Sequence, residues 1–261
     1  EEIQELDLSH RQLCSPDIPN LAPLKKLRKI NLARNNITSL EFLRNNRRLV
    51  EITLNRNPIS SLRNLRNLSR LENLEASHCR LSGRLDLGVF PSLRTLDATH
   101  NQITEVRGIG LCPNLERINL NHNNITKTRF LRRGARSLVK LSMSHNSVRR
   151  LGDVFTLNRR GSPHLPATPQ GFPRLLDLRL DSNKLRALPE TGWNLPRLAV
   201  LDLGANRLAS LDENLLRSLA SLPHLRRLNL RRNPVAQSPG YPENLRRRLG
   251  DLDVLDGREL Y

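Results

Sequence analysis

The sequence predicts an α/β solenoid, in which the chain winds into short stacked coils. A parallel sheet lines one side, and short helices or 3-10 turns line the other. Three observations carry this. One template, L-x-x-L-x-L-x-x-N-x-L, recurs along nearly the whole chain. Its period is close to constant. Each copy has one apolar side that only a neighbouring copy can cover.

The template fits residues 27–37, 49–59, 71–81, 93–103, 115–125, 138–148, 175–185, 198–208 and 225–235. A worn first copy, 3–13, carries Arg11 at the ninth position, where the others have Asn or, at Cys79, Cys. The ninth-position residues are separated by 24, 22, 22, 22, 22, 23, 37, 23 and 27 residues. Alternating apolar residues such as Ile118 and Leu120 face one side of a short strand, because strand side chains alternate. The ninth-position amide is suited to bonding turn backbone, so successive Asn residues form a ladder beneath the strands. One continuous array over 261 residues predicts a single solenoid domain, 1–261.

These residues resemble the leucine-rich-repeat family over nearly the whole chain. The 22-residue step is similar to the subclass typified by the phosphatase-1 regulator with leucine-rich repeats, the U2 small-ribonucleoprotein A-prime protein and the axonemal dynein light chain. The segment 233–261 resembles that subclass's C-terminal cap, with Asn233, Pro234, Val235, Tyr241 and the closing Leu255-Asp256-Gly257. Pro242 stands where Arg often follows the Tyr, and Gly250 where Pro is usual. The resemblance implies a right-handed horseshoe, with its parallel sheet on the concave face, that serves as a non-catalytic binding scaffold.

Charge is the compositional outlier. Lys and Arg number 43 against 25 Asp and Glu, a net charge of +18, and 37 of the cations are Arg. Such a surface seeks polyanions: RNA, DNA, acidic protein tails or anionic lipid. Arg suits bidentate phosphate contacts and base stacking. GC-rich coding also exchanges Lys for Arg, but it does not remove acids, so the net excess is the stronger signal. No apolar run reaches the roughly 18 residues of a membrane span. Cys14, Cys79 and Cys112 are odd in number and lack paired spacing, which points to an intracellular, reducing compartment. Nucleus or nucleolus is favoured over cytoskeleton, cilium or mitochondrion. The sequence begins at Glu1, so no targeting signal is read from it.

The fifth and seventh template positions are expected on the concave face. They are polar, mildly acidic and small, which suits a protein segment: Asn31, Thr53, Asn55, Glu75, Asp97, Thr99, Asn119, Asn121, Ser144 and Arg179 are the candidate protein-binding residues. The cations collect in return segments and at the ends. Leu at helical intervals in 42–49 and 61–71 predicts short amphipathic turns with Arg47, Arg48, Arg63 and Arg66 outside. The densest internal block holds Arg132, Arg133 and Arg136, followed by Arg149 and Arg150. Arg226, Arg227, Arg231, Arg232, Arg246, Arg247 and Arg248 load the C-terminal end. The 37-residue step marks an insertion, 152–172, rich in Pro, Gly, Ser and Thr and carrying Arg159 and Arg160, which reads as an extended loop. All these Arg residues are candidate nucleic-acid contacts; a merely solvated face is the competing reading.

The eighth column holds five of the seven His residues: His10, His78, His100, His122 and His145. Zinc would need Cys pairs or nearby acids that the pattern lacks, so no metal or cofactor is expected. A phosphate-touching or pH-sensitive strip continuous with Arg34 and Arg56 competes with His as a tolerated turn residue, the reading favoured here. No glycine-rich phosphate loop, H-E-x-x-H motif, nucleophile elbow or Cys/His pairing is found, so catalysis is not expected. The favoured role is a scaffold in a ribosomal, pre-ribosomal or spliceosomal ribonucleoprotein, with a protein segment on the concave face and RNA phosphates on the Arg-rich flanks. The alternatives are an axonemal or microtubule adaptor binding acidic tubulin or motor subunits, and a phosphatase regulator.

Overall fold

Each template copy folds into a three-residue strand at its third to fifth positions, followed by a sharp turn at the eighth. The computed structural model describes residues 3–132, 136–151, 155, 171–190 and 192–260. The strands of the repeat are β1 (Glu5–Asp7), β2 (Lys29–Asn31), β3 (Glu51–Thr53), β4 (Asn73–Glu75), β6 (Thr95–Asp97), β8 (Arg117–Asn119), β9 (Lys140–Ser142), β10 (Asp177–Arg179), β11 (Val200–Asp202) and β12 (Arg227–Asn229). The chain divides into two units, 1–124 and 125–261.

In the first unit the strands run β1-β2-β3-β4-β6-β8 in parallel, each pair in register at matching template positions, as in Leu6 with Ile30 and Ile30 with Ile52. In every strand the middle residue points into the coil; Ile30, Ile52, Leu74, Leu96 and Ile118 are all buried. The first, sixth and eleventh positions complete the core, as in Leu49, Leu54 and Ile59, none of which is exposed. Each such burial contributes roughly 1.5–3 kcal/mol, and it is available only because the next coil covers it.

The asparagine ladder binds the coils. Asn57 donates through Nδ2 to the carbonyls of Leu32, one coil back, and Leu54, in its own coil, at 2.8 and 2.9 Å. Its Oδ1 accepts from the Ile37 amide at 3.0 Å. Asn101 and Asn123 repeat this pattern in the first unit, and Asn183, Asn206 and Asn233 in the second. Buried backbone groups that the turns would otherwise orphan are satisfied in this way.

The eighth column was read as a place where His is tolerated; the backbone shows why. Every residue there, from His10 to Arg232, has a positive φ between 49° and 58°. This left-handed conformation disfavours most side chains, with His, Asn and Asp enriched among the exceptions. The strain is held by an inter-coil bond. The His78 amide donates to Thr99 O at 3.0 Å and the Arg56 amide to Ser77 O at 2.9 Å.

The return segments match the expected 3-10 turns at Glu41–Leu43 and Arg63–Leu65, with Leu43 and Leu65 buried and Arg47, Arg48 and Arg63 exposed. One stretch departs from expectation. β5 (Ser82–Asp86) and β7 (Gln102–Arg107) form a second parallel pair on the return side, in place of helix. Here Ile103 and Val106, three residues apart, both turn inward because the register shifts between Gly83 and Arg84, leaving Thr104 as an extra residue; Ile, Thr and Val favour extended backbone.

In the second unit β9, β10, β11 and β12 pair in parallel. Among the described residues two α-helices occur, α1 (Glu213–Ala220), capped by Asp212 accepting from Leu215 N at 2.8 Å, and α2 (Tyr241–Arg248), with Pro242 in its first turn, where a missing N–H costs nothing. The expected cap is present. β13 (Val254–Leu255) adds to β12 in parallel and turns back through Asp256 and Gly257, both at positive φ, into β14 (Arg258–Glu259). Asp256 closes it, accepting from Leu230 N at 2.7 Å and from the Tyr241 hydroxyl at 3.1 Å. Burial and this carboxylate push the Tyr241 phenol up, so it stays protonated. Most of the insertion lies outside the described residues; at its margins Phe155 and Phe172 are buried and stacked, with ring centroids 5.2 Å apart.

Candidate interaction surfaces

The outward positions of the strands, third and fifth, share one face with the seventh. In the first unit this face carries Glu5, Asp7, Glu51, Glu75 and Asp97 against Lys29 and Arg117. It is therefore mildly acidic. Its polar groups are largely tied to one another: Asn31 Nδ2 donates to Asp7 at 3.2 Å, Asn55 Nδ2 to Glu75 at 2.7 Å, and Asp97 accepts from Thr99 N at 2.9 Å. Asn119 Oδ1 accepts from the Asn121 amide at 3.3 Å, and Thr53 lies half-buried between these rows. Side chains so pre-arranged lose little freedom on meeting a partner.

In the second unit the face holds Ser144, which donates to Asp181, and Arg179, which pairs with Asp177 at 3.2 Å. Asp202 sits there too, its carboxyl raised by burial first and by Asp181 next, against the opposing Gly204 amide and Asn229. Arg227 and Arg231, expected with the cations of the C-terminal end, occupy its third and seventh columns instead, because β12 is a repeat strand. Arg232 follows in the eighth column, exposed and left-handed.

The other candidate cations separate into two kinds. Some are engaged: Arg66 meets Asp86 at 2.8 Å, Arg226 meets Asp253 at 3.6 Å and Asp251 at 3.9 Å, and Arg248 meets Glu213 at 3.0 Å. Arg246 donates to the Leu260 carbonyl. These are exposed pairs, each contributing about 0–1 kcal/mol, and their charge is largely answered within the fold. Arg47, Arg63, Arg136, Arg149, Arg150 and Arg247 are exposed. Arg133, Arg159, Arg160 and the Arg132 side chain lie outside the described residues.

Arg48 belongs to a built site. Lys26, Arg28, Arg48 and Arg70 line one cleft of about 530 Å³ in the first unit, with Gln4, Val50, Glu72 and Ser92. Lys26, Arg48 and Arg70 precede the first template Leu in three successive coils, 22 residues apart, so the coil period itself sets them in a row. Glu72, the acid of that lining among the described residues, is drawn to Arg94 at 3.6 Å. Among the described residues Arg28, Arg48 and Arg70 enter no ion pair. A cleft in which three arginines stand side by side without carboxylate partners among the described residues suits phosphate oxygens. Lys26, Arg28 and Arg70 are not among the candidates read from sequence; the column just before the template points to Lys26 and Arg70, and Arg28 is the second residue of its copy.

On the opposite end of the strands, the rings of His78, His100 and His122 stack, with centroids 4.1 Å apart and planes 9° and 8° from parallel. Partial burial first, then His100 and Arg56, hold the His78 imidazole below its ordinary value, with Asp97 opposing. The cysteines are unbridged. Cys79 and Cys112 are pushed up to about 11 by burial. Among the described residues no cluster of three or more His, Cys, Asp or Glu is placed to hold a metal, and no helix is long and apolar enough to cross a membrane.

Residues 91–133 match a family model described as leucine-rich repeats in two copies. No curated protein matches the chain. Among solved structures, the functional domain of InlJ from Listeria monocytogenes is similar at a TM-score of 0.70 and 22% identity, over 97% of this chain and 48% of that one. The TLR13–ssRNA13 complex gives 0.69 at 20% identity, over 97% and 38%. An octameric complex of Latrophilin 3, Unc5D and the leucine-rich repeats of FLRT2 gives 0.66 at 21%, over 89% and 76%. The chain spans about half of the first of these structures and less of the second. By its coils, its asparagine ladder and the motif matched at 91–133, the chain has the leucine-rich-repeat solenoid fold.

Proposed function

We propose that the chain is a non-catalytic scaffold of a large ribonucleoprotein, ribosomal, pre-ribosomal or spliceosomal. In this reading the strand-layer face holds a protein segment, and the cations of the coil edge hold RNA phosphates. The cleft of Lys26, Arg28, Arg48 and Arg70 carries the proposal. It concentrates positive charge at one place, while the adjoining strand face of the same unit stays mildly acidic. A polyanion and a polar protein segment would therefore sort to different surfaces. The similar structures lend precedent in their own right: one is a complex with single-stranded RNA, another a multi-protein assembly.

The test is sedimentation of cell extract on a sucrose gradient with and without ribonuclease. The expected result is co-migration with a large particle that nuclease releases. Co-sedimentation that survives nuclease and follows microtubule polymer would favour the adaptor reading instead.

A further inference from the structure

We infer that Arg34, Arg56, His78, His100 and His122 form a second strip for the phosphates of single-stranded RNA, whose occupancy is coupled to proton uptake. The inference rests on the RNA reading above and adds a site and a regulator to it. The five residues occupy the same template position in five successive coils of the first unit. All are exposed and all are left-handed, with φ between 52° and 58°. Amides anchor the strip to the neighbouring coils, Arg34 N to Asn55 O at 2.8 Å and His100 N to Asn121 O at 3.0 Å. It is therefore a fixed row rather than a set of loose side chains.

Chemistry follows from the stack. Ring nitrogens lie in the plane of an imidazole, so face-to-face rings at 4.1 Å direct their N–H groups sideways, in parallel, away from the stack axis. A neutral imidazole carries one donor and one acceptor; protonated, it carries two donors. Protonating adjacent rings places like charges about one ring thickness apart, with Arg56 adding to the repulsion at His78 and Asp97 countering it. The neighbouring Cys79 thiol stays neutral and offers no relief. A row of phosphates along the edge adds negative charge beside every ring of the stack. RNA then favours the protonated stack, and by linkage acid favours RNA. Arg34 and Arg56 extend the row with permanent charge, and the cleft around Arg48 gives the pH-independent part of the affinity.

The experiment is fluorescence anisotropy of a labelled oligouridylate at fixed ionic strength, between about pH 5 and 8, the range in which histidine changes charge. The wild-type chain is compared with His78→Asn/His100→Asn/His122→Asn, and with His100→Asn alone, which breaks the stack in its middle. Asn tolerates positive φ, so both variants keep the turn; circular dichroism confirms the fold. The expected wild-type affinity rises on acidification by up to about tenfold per pH unit for each proton taken up. The triple variant loses most of that rise and keeps its affinity at the upper pH, and His100→Asn falls between. An unchanged pH slope in the triple variant overturns the inference; if that variant fails to fold, an unchanged slope in His100→Asn does so. A flat wild-type profile with RNA bound also overturns it and leaves the scaffold reading standing. Absence of RNA binding at every pH removes both.

Discussion

The Cys79 thiol sulfur lies 3.6 Å from the Leu54 carbonyl, where the ladder elsewhere places an amide nitrogen. In the coil before, Asn57 also accepts from the Ile37 amide, and in the coil after, Asn101 accepts from Leu81. A thiol is a weak donor and supplies no such oxygen. Ile59, the counterpart of Ile37 and fully buried, is therefore without a side-chain acceptor among the described residues. Replacing Cys79 by Asn should raise the unfolding free energy by about 1–2 kcal/mol, as a buried amide gains its partner. Urea denaturation checks it. Asn101→Ala should move the same measurement the other way, by about 1–3 kcal/mol, because the buried Leu81 amide loses its side-chain acceptor and three backbone carbonyls each lose one hydrogen bond.

The left-handed column makes its own prediction. Ala205 has φ 49° and neither a capping side chain nor a glycine's freedom. Ala205→Gly should stabilise the chain by up to about 1 kcal/mol, the relief of left-handed strain less the unfolded-state entropy of glycine. Thermal unfolding at matched concentration would show it as a rise in midpoint. A fall would mean that the inter-coil bond to Arg231 O does not hold this backbone as described.

The period, the ladder and the cap were legible because each is a local pattern repeated in phase. Asn35, Asn57 and Asn101 announce the same turn wherever they fall. The strand pair β5–β7 was not legible, because residues 82–86 and 102–107 share no template with the other return segments. The ion pairs of Arg66, Arg226 and Arg248 were hidden because Asp86, Asp253 and Glu213 lie a coil or more away in sequence. The cleft around Arg48 escaped for a related reason: its cations come from three coils, and three of the four precede the motif that draws the eye.

Thiol reactivity should separate the three cysteines. Cys14 is exposed, whereas burial lifts Cys79 and Cys112 to about 11 and keeps them as thiols near neutral pH. The thiolate is the reactive form. Native protein at about pH 8 should release one equivalent of chromophore rapidly from an aromatic disulfide reagent, and the remainder only after denaturation. Rapid release of three equivalents would contradict the burial of both coils.

Asp202 carries a pH signature. Its folded-state carboxyl is raised, so the folded protein holds this proton more tightly than the unfolded chain does. The ionised carboxylate is then a penalty at neutral pH that disappears as the pH falls through the folded value towards the unfolded one. Asp202→Asn should stabilise the chain at pH 7, and the advantage should shrink as the pH falls towards about 4, the ordinary carboxylate value, and be gone below it. Urea unfolding at a series of pH values reads this directly; a gain that grows towards acid would reverse the sign of the shift.

The salt dependence of RNA affinity in the cleft of the first unit tests the phosphate-holding edge most directly. Phosphate contacts by Arg48 and Arg70 make log affinity fall steeply with log salt concentration, and each lost contact lowers that slope by about 1. Arg48→Gln/Arg70→Gln should therefore bind RNA more weakly at low salt with a slope reduced by about 2, while Glu75→Gln/Asp97→Asn on the strand face leaves the slope unchanged. An unaltered slope in the arginine variant, or a change as large from the strand face, would contradict the division of the molecule into a phosphate-holding edge and a protein-holding face.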